Sequence, residues 1–259
     1  MPAMRRQIQN RILLLVLPLL LFSCGSKKEM VYLQGIDDNK SYEVNTNYEP
    51  TLKPDDLLSI IVAAENPEVT VPFNLPAIQG NYEINNNQNG IKTYLIDNMG
   101  FIDFPVLGKV KLGGLTRSEA DKKLLGLLSE YIKNPSINLR ILNYKVSVIG
   151  EVSKPGSYTI PGERITIFEA LGLAGDLTIY GKRDNILVIH EADGKKTYTR
   201  VDITNAQALD SPAYYLSQND VVVVEPNRTK INSSVIGPNT TVILGSLTVL
   251  ISLLVLLKN

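Results

Sequence analysis

From about Tyr48 onward the chain is a series of short apolar runs cut by Gly, Pro, Asn and Asp, the pattern of strands joined by turns. LLSIIVAAE at 57–65 reads as a strand, and SINLRIL at 136–142 places Ile137, Leu139 and Ile141 on one face. YKVSVIG follows directly at 144–150, and VVVVE at 221–225 is the last strand of this region. ILVIHE and TYTRVDI, separated by ADGKK, read as a hairpin turned at Asp193-Gly194. NNNQNG at 85–90 reads as a loop or hairpin tip.

Two segments switch from a period of two to helical spacing. In TRSEADKKLLGLLSEYIKN, Thr116 and Glu119 stand as a capping box, and Ala120, Leu124, Leu127, Leu128 and Tyr131 form one apolar face. The second helix opens with Thr166 and Glu169 in the same spacing, carries Phe168, Leu171 and Leu173, and stops at Gly175. GKVKLGGLTRSEA and GSYTIPGERITIFEA share a Gly, a short strand, a Gly turn and Thr-x-x-Glu-Ala, which is either an internal repeat or the common form of a capped helix after a hairpin. Both helices lie among small mixed sheets, so the expected fold class is α+β.

Both ends of the chain are apolar. Arg5, Arg6 and Arg11 precede an apolar stretch from Ile12 to Phe22, and Ser23 stands before Cys24, an arrangement with the three parts of a secretory signal over residues 1–23. Cys24 is the single cysteine, so an internal disulfide is excluded, leaving an inert buried thiol or a modified residue. LFSC resembles the lipobox of bacterial lipoproteins, which implies a diacylglycerol thioether on Cys24, cleavage before it, and firm anchoring by several acyl chains. Gly25, where an Asp commonly retains lipoproteins at the inner membrane, favours the outer membrane by analogy. Residues 24–45, with GSKKE and GIDDNKS, read as a polar tether.

At the other end, Val242 to Leu257 is an apolar run of 16 residues. As a helix it would measure about 24 Å, short for an average bilayer and adequate for a thinner one. Thr241, Gly245, Thr248 and Ser252 recur at four, three and four residues and so share a helical face. A helix that packs on copies of itself or lines a pore has use for such a face, whereas small residues scattered by chance would have none. A membrane helix is therefore expected over 241–259, after a linker over 229–240.

Removal of residues 1–23 takes away three arginines and no acids, moving the charge balance from 26 against 26 to 23 basic against 26 acidic residues. No basic stripe is present, which argues against a nucleic-acid partner. Catalysis finds little support. His190 is the sole histidine and sits in a strand pattern, which points to a structural role, and a metal site needs more than one such ligand. A serine-nucleophile motif and a phosphate-binding glycine loop are both missing from the sequence. Asp55 and Asp56, after Pro54, read as a solvated turn pair rather than as paired catalytic carboxylates. Gly150 and Gly156 bracket a turn in which Pro155 fixes its own φ and holds Lys154 extended, a rigid corner or a ligand-facing loop.

Five stretches, in order, carry a family resemblance: YEPTLKPDDLLSIIV, NMGFIDFPVLGKVKLGGLTRSEA, YIKNPSINLRI, VSVIGEVSKPGSYTIPGERITIFEALGLAGDLT and LSQNDVVVVEP. The chain resembles the outer-membrane polysaccharide export lipoproteins of the Wza type, and GEVSKPGSY is the most specific stretch. The resemblance implies an export domain over 46–142 and a soluble-ligand-binding β-grasp (SLBB) domain over 143–228. It also implies a C-terminal helix that joins helices of other subunits in a ring through the outer membrane. Capsular or exopolysaccharide would be the substrate, moved without chemistry, and an inner-membrane polysaccharide co-polymerase, often with a tyrosine kinase part, the partner. The cofactor expectation is none beyond the lipid on Cys24. With one SLBB copy the periplasmic vestibule should be short, and the last helix is shorter and more apolar than the family's, with Ile236 to Thr240 available as a collar. The alternative is a tethered saccharide-binding or adaptor lipoprotein that forms no pore.

Overall fold

The computed structural model describes residues 27–36, 48–75, 93–192 and 194–235, together with positions 242, 245, 246, 248–250, 252 and 253. The signal segment, Cys24, the 85–90 loop, Asp193 and Thr241 lie outside the described residues.

The first unit is built around β1 (Leu57–Ala63), flanked by β2 (Thr93–Leu95) and, later in the chain, β5 (Ser136–Ile141), all antiparallel in the order β2-β1-β5. Between them β3 (Phe101–Phe104) and β4 (Gly108–Lys111) form a separate hairpin. Helix α1 (Arg117–Leu128) starts at the expected capping box, with Thr116 and Glu119 each bonding the other's backbone. Leu58, Ile60 and Val62 alternate into a core closed by Ala120, Leu124 and Leu128. Fully burying each large aliphatic side chain contributes about 1.5–3 kcal/mol.

The second unit holds a five-stranded mixed sheet in the order β10-β9-β12-β6-β7. Its strands are β6 (Lys145–Gly150), β7 (Gly156–Thr159), β9 (Ile186–Ala192), β10 (Lys195–Val201) and β12 (Val221–Val224). β12 runs parallel to β6 and antiparallel to β9, so the last strand is inserted beside the first. A small pair, β8 (Ile165–Thr166) with β11 (Tyr215–Leu216), leads into helix α2 (Ile167–Leu173), which has its own capping box. Val146, Val148, Ile167, Leu171, Val188 and Val222 meet in this second core. The mixture of helix and sheet is the α+β class expected. Both halves of the suggested repeat are a hairpin followed by a capped helix, but β3–β4 stands alone while β6–β7 belongs to the large sheet.

Three expectations are corrected by the structure, and one apolar residue of α2 is found facing outward. Tyr131 is 56 % exposed, because α1 ends at Leu128 and the following turn, in which Ile132 N–H donates to Leu128 O at 2.8 Å, carries Ile132 into the core instead. Leu173 is 48 % exposed, and Ile167, Ala170 and Ala174 share the inward face with Leu171. Asp56 is not solvated: Asp55 is exposed, but Asp56 is 0 % exposed beneath the turn. The tether is not uniformly free, because residues 31–36 dock on the second unit. Leu33 N–H donates to Ile203 O at 3.0 Å, Gln34 N–H to Thr204 O at 2.6 Å, and Ala206 N–H returns to Gln34 O at 3.0 Å.

Among the described residues no helix is long and apolar enough to cross a membrane. A short helix α3 (Arg228–Val235) leaves β12, and the described positions from 242 to 253 are helical.

Candidate functional site

The seam between the two units is polar and closed by long-range bonds. Asn143 Oδ1 accepts from Leu57 N–H at 2.9 Å, and its Nδ2 donates to Asp55 O at 2.8 Å. Buried Gln218 completes the joint, accepting from Lys145 N–H at 2.7 Å and donating to Asn143 O at 2.7 Å. Tyr144 donates to Leu216 O at 2.6 Å, while Tyr48, from the first unit, stacks on Tyr215 at 4.6 Å. Lys53 Nζ reaches Glu191 O at 3.1 Å.

Two buried carboxylates border this seam. Asp56 Oδ2 accepts from Lys53 N–H at 2.8 Å, while Oδ1 has no hydrogen-bond partner among the described residues. Burial pushes its acid up to about 6, against the opposing pull of the Lys53 amide and charge. Asp220 is also raised by burial, offset in part by Ser217 N–H and by His190. His190 Nδ1 lies 2.6 Å from Asp220 Oδ1, a partner that sequence spacing could not identify. Among the described residues no cluster of three or more metal-ligating side chains occurs.

The Gly150–Gly156 corner joins β6 to β7, and its backbone is held by the end of α2. Ser153 N–H donates to Asp176 O at 2.9 Å and Lys154 N–H to Ala174 O at 2.8 Å, while the Tyr158 hydroxyl donates to Lys154 O. Lys154 and Pro155 remain exposed at the tip. Glu151, at the base, accepts from Thr178 Oγ1 at 3.0 Å and pairs with Lys230 of α3 at 3.7 Å. The corner thus abuts the point at which the chain leaves for its C-terminal segment. Gly150 and Gly181 permit this closeness: a Cβ on Gly181 would sit 2.8 Å from Glu151 O.

Of the C-terminal stripe, Gly245, Thr248 and Ser252 are described and exposed, and Thr241 is not described. Thr248 Oγ1 donates to Gly245 O at 2.8 Å and Ser252 Oγ to Thr248 O at 2.8 Å, so both hydroxyls bond within the helix. Val242, Val249, Leu250 and Leu253 are each more than half exposed, which leaves an apolar surface of this helix uncovered by the described residues.

Residues 44–142 match the family described as polysaccharide biosynthesis/export protein, and residues 144–224 match the SLBB domain. The chain belongs to the polysaccharide export family of the Wza type, with an SLBB domain. Two relatives are described as EPS I polysaccharide export outer membrane protein EpsA. One, from Ralstonia solanacearum, is 28 % identical over 193 residues, covering 71 % of this chain and 51 % of the relative. The other, from Ralstonia nicotianae, is 28 % identical over 194 residues, covering 71 % and 50 %. The chain therefore spans about half the length of the curated relatives it matches. The family is one of export, and the chain is not placed among enzymes.

Proposed function

We propose that this protein is an outer-membrane lipoprotein that exports capsular or exopolysaccharide from periplasm to cell surface, as a ring of identical subunits. The observation that carries this is the ordered pair of export and SLBB matches, in a chain whose relatives are polysaccharide export outer membrane proteins. Lipid on Cys24 and the helix over 241–259 provide two attachments. Leu33 is nine residues from Cys24, so the lipid must lie within about 30 Å of the second unit. The C-terminal segment leaves that same unit through α3. This supports an arrangement with the SLBB domain next to the membrane and the export domain further into the periplasm, facing an inner-membrane co-polymerase with its kinase part. The uncovered apolar surface around Val249 and Leu253 fits lipid or neighbouring helices. Cyclic symmetry is how one short helix per chain can enclose an opening.

One observation favours a second reading, in which the chain is a saccharide-binding adaptor and its last helix only an anchor. The hydroxyls of Thr248 and Ser252 spend their protons on their own helix, as isolated helices in lipid require. Particle imaging of the detergent-extracted lipidated protein, beside a chain stopped after Asn239, separates the two. Rings with helices around a central opening are expected for the conduit, and monomers across detergents would establish the adaptor. In cells, Gly245→Leu and Ser252→Leu should abolish surface polysaccharide while the protein stays in the membrane.

A further inference from the structure

Five aromatic rings from separate parts of the chain form one continuous series of contacts, four on the second unit and one, Tyr48, reaching it from the first. Tyr32 meets Phe168 edge-on at 6.5 Å, Phe168 meets Tyr214 at 6.3 Å, Tyr214 meets Tyr215 at 4.9 Å, and Tyr215 stacks on Tyr48 at 4.6 Å. The chain has 12 Tyr and 5 Phe, so this strip gathers nearly a third of its aromatic residues. All five rings are half-buried, neither sealed in a core nor fully solvated.

The strip is flanked by charge. The Arg164 guanidinium lies 5.5 Å from the Tyr215 ring and is exposed. At the opposite end Arg183 lies 5.7 Å from the Tyr32 ring and is 7 % exposed, with Nη1 donating to Gly181 O at 3.0 Å but Nε without a hydrogen-bond partner among the described residues. Tyr32 is fixed by its hydroxyl, which donates to Asp176 Oδ1 at 2.5 Å, and Tyr48 is fixed by Ser217 at 3.3 Å. The end rings are thus held in place before any ligand arrives, which lowers the ordering cost of binding. Phe168 and Tyr214, at the centre, present the hydrocarbon surface between these fixed ends.

We propose that this strip contacts the glycan itself, with successive pyranose rings laid on Phe168 and Tyr214 and their hydroxyls accepting from Arg164. The inference rests on the export reading and names where the substrate touches the SLBB domain. Its physical basis is that pyranose C–H bonds, polarised by neighbouring oxygens, are attracted to the negative face of an aromatic ring. Neighbouring centroids along the strip are spaced on the scale of a single sugar ring, so a chain can cross it by exchanging one contact for the next. Such contacts are individually weak and insensitive to linkage, as passage through a conduit requires.

The test is titration of the full-length lipidated protein in detergent with cellohexaose and with a hexameric oligogalacturonate, read by tyrosine fluorescence and calorimetry. At least one sugar should bind saturably, and Phe168→Ala and Tyr214→Ala should each weaken it about three- to tenfold, the weight of one aromatic face. Phe168→Leu, which keeps the apolar packing and removes the π face, should weaken binding similarly with an unchanged thermal midpoint. Val71→Ala, at an exposed position of the first unit, should change nothing. Wild-type protein that binds neither sugar, or binds equally well without Phe168 and Tyr214, overturns the proposal. A photo-crosslinker at position 214 that joins two protein chains within the ring, and never sugar, would overturn it too, by assigning the strip to a subunit contact. Either result with export intact leaves the conduit reading standing, whereas loss of rings and of surface polysaccharide in the wild type would strike at that reading instead.

Discussion

Gly150 is the residue whose replacement should do most harm for the smallest chemical change. It ends β6 beside Val224 of the parallel strand β12, with φ at 96°. A Cβ built there would lie 2.1 Å from Val224 O and 3.0 Å from its carbonyl carbon. That same oxygen accepts the Glu151 N–H at 3.0 Å, which starts the corner. Alanine must therefore either change φ or push β12 away from β6. The backbone conformation costs about 1–2 kcal/mol, overpacking against main chain about 1–3 kcal/mol, and the displaced hydrogen bond about 1 kcal/mol. Gly150→Ala should thus destabilise by about 3–6 kcal/mol, a large part of a typical domain's stability of about 5–15 kcal/mol. Three further glycines separate the contributions. Gly108 has φ 71° with no described neighbour within 4 Å, so Gly108→Ala reports conformational strain alone. Gly126 and Gly172 lie in helices with no described neighbour within 4 Å, and alanine there should stabilise by about 0.5–1 kcal/mol. Guanidinium unfolding of the detergent-solubilised chain, followed by circular dichroism, gives the four midpoints. A Gly150→Ala midpoint no lower than that of Gly108→Ala would refute the close-approach argument.

Asp56 makes a pH prediction. Its folded acid is raised to about 6 while an unfolded Asp titrates near 4, so folding takes up a proton between these values. The group's stabilising contribution is complete below about pH 4 and disappears as pH rises through about 6, a change of about 2–3 kcal/mol; Asp56→Asn should flatten that slope in urea melts across the same range, and an unchanged slope would contradict it. Gln218→Ala leaves Lys145 N–H and Asn143 O without their seam partner, and should cost about 2–4 kcal/mol. It should also split one thermal transition into two by scanning calorimetry, as the units uncouple. His190→Ala removes the partner of buried Asp220 and should cost about 1–3 kcal/mol at neutral pH, measured by urea unfolding. Cys24→Ser should abolish metabolic labelling with radioactive palmitate and prevent lipoprotein processing, and full labelling of the variant would remove the lipid anchor from the proposal.

What the sequence displays well is local chemistry. Thr116 with Glu119 and Thr166 with Glu169 announce two helix starts because both partners of a capping box lie within one turn, and both boxes are formed. The alternation at Ile137, Leu139 and Ile141 places β5, and Gly194, at φ 69°, turns the β9–β10 hairpin. What it hides is whatever meets in space. Asn143 and Gln218 are 75 residues apart, and His190 and Asp220 are 30 apart, so no window contains either pair. Helix ends are also poorly marked: the apolar period runs through Tyr131, but the backbone leaves the helix at Leu128 and the side chain loses its place on the face. The docked segment was readable in part. VYLQGI, at 31–36, has four apolar positions inside an otherwise polar tether, more than a free linker needs. Its seat on Ile203 and Thr204 depends on Leu33 adopting φ 51°, which spacing does not reveal.

The seam explains how two small cores can act as one piece. Each core is closed within its own unit, with partly buried Ile141 touching both, so apolar burial does little to fix their mutual orientation. That task falls to Asn143 and Gln218, whose amides have both ends bonded to main chain of fixed position. Such a joint contributes less to stability than to geometry, because a rotated alternative would leave the same buried groups unpaired. In the proposed ring this matters. A small angular error between export and SLBB domains would be repeated in every subunit and would accumulate around the circle, so closure needs a joint that admits one angle. Tyr48 stacks on Tyr215 at that joint, and Tyr32 holds the docked tether at the other end of the same aromatic strip. The strip therefore ties the seam to the segment that leads to Cys24, and a glycan crossing it would pass between the two.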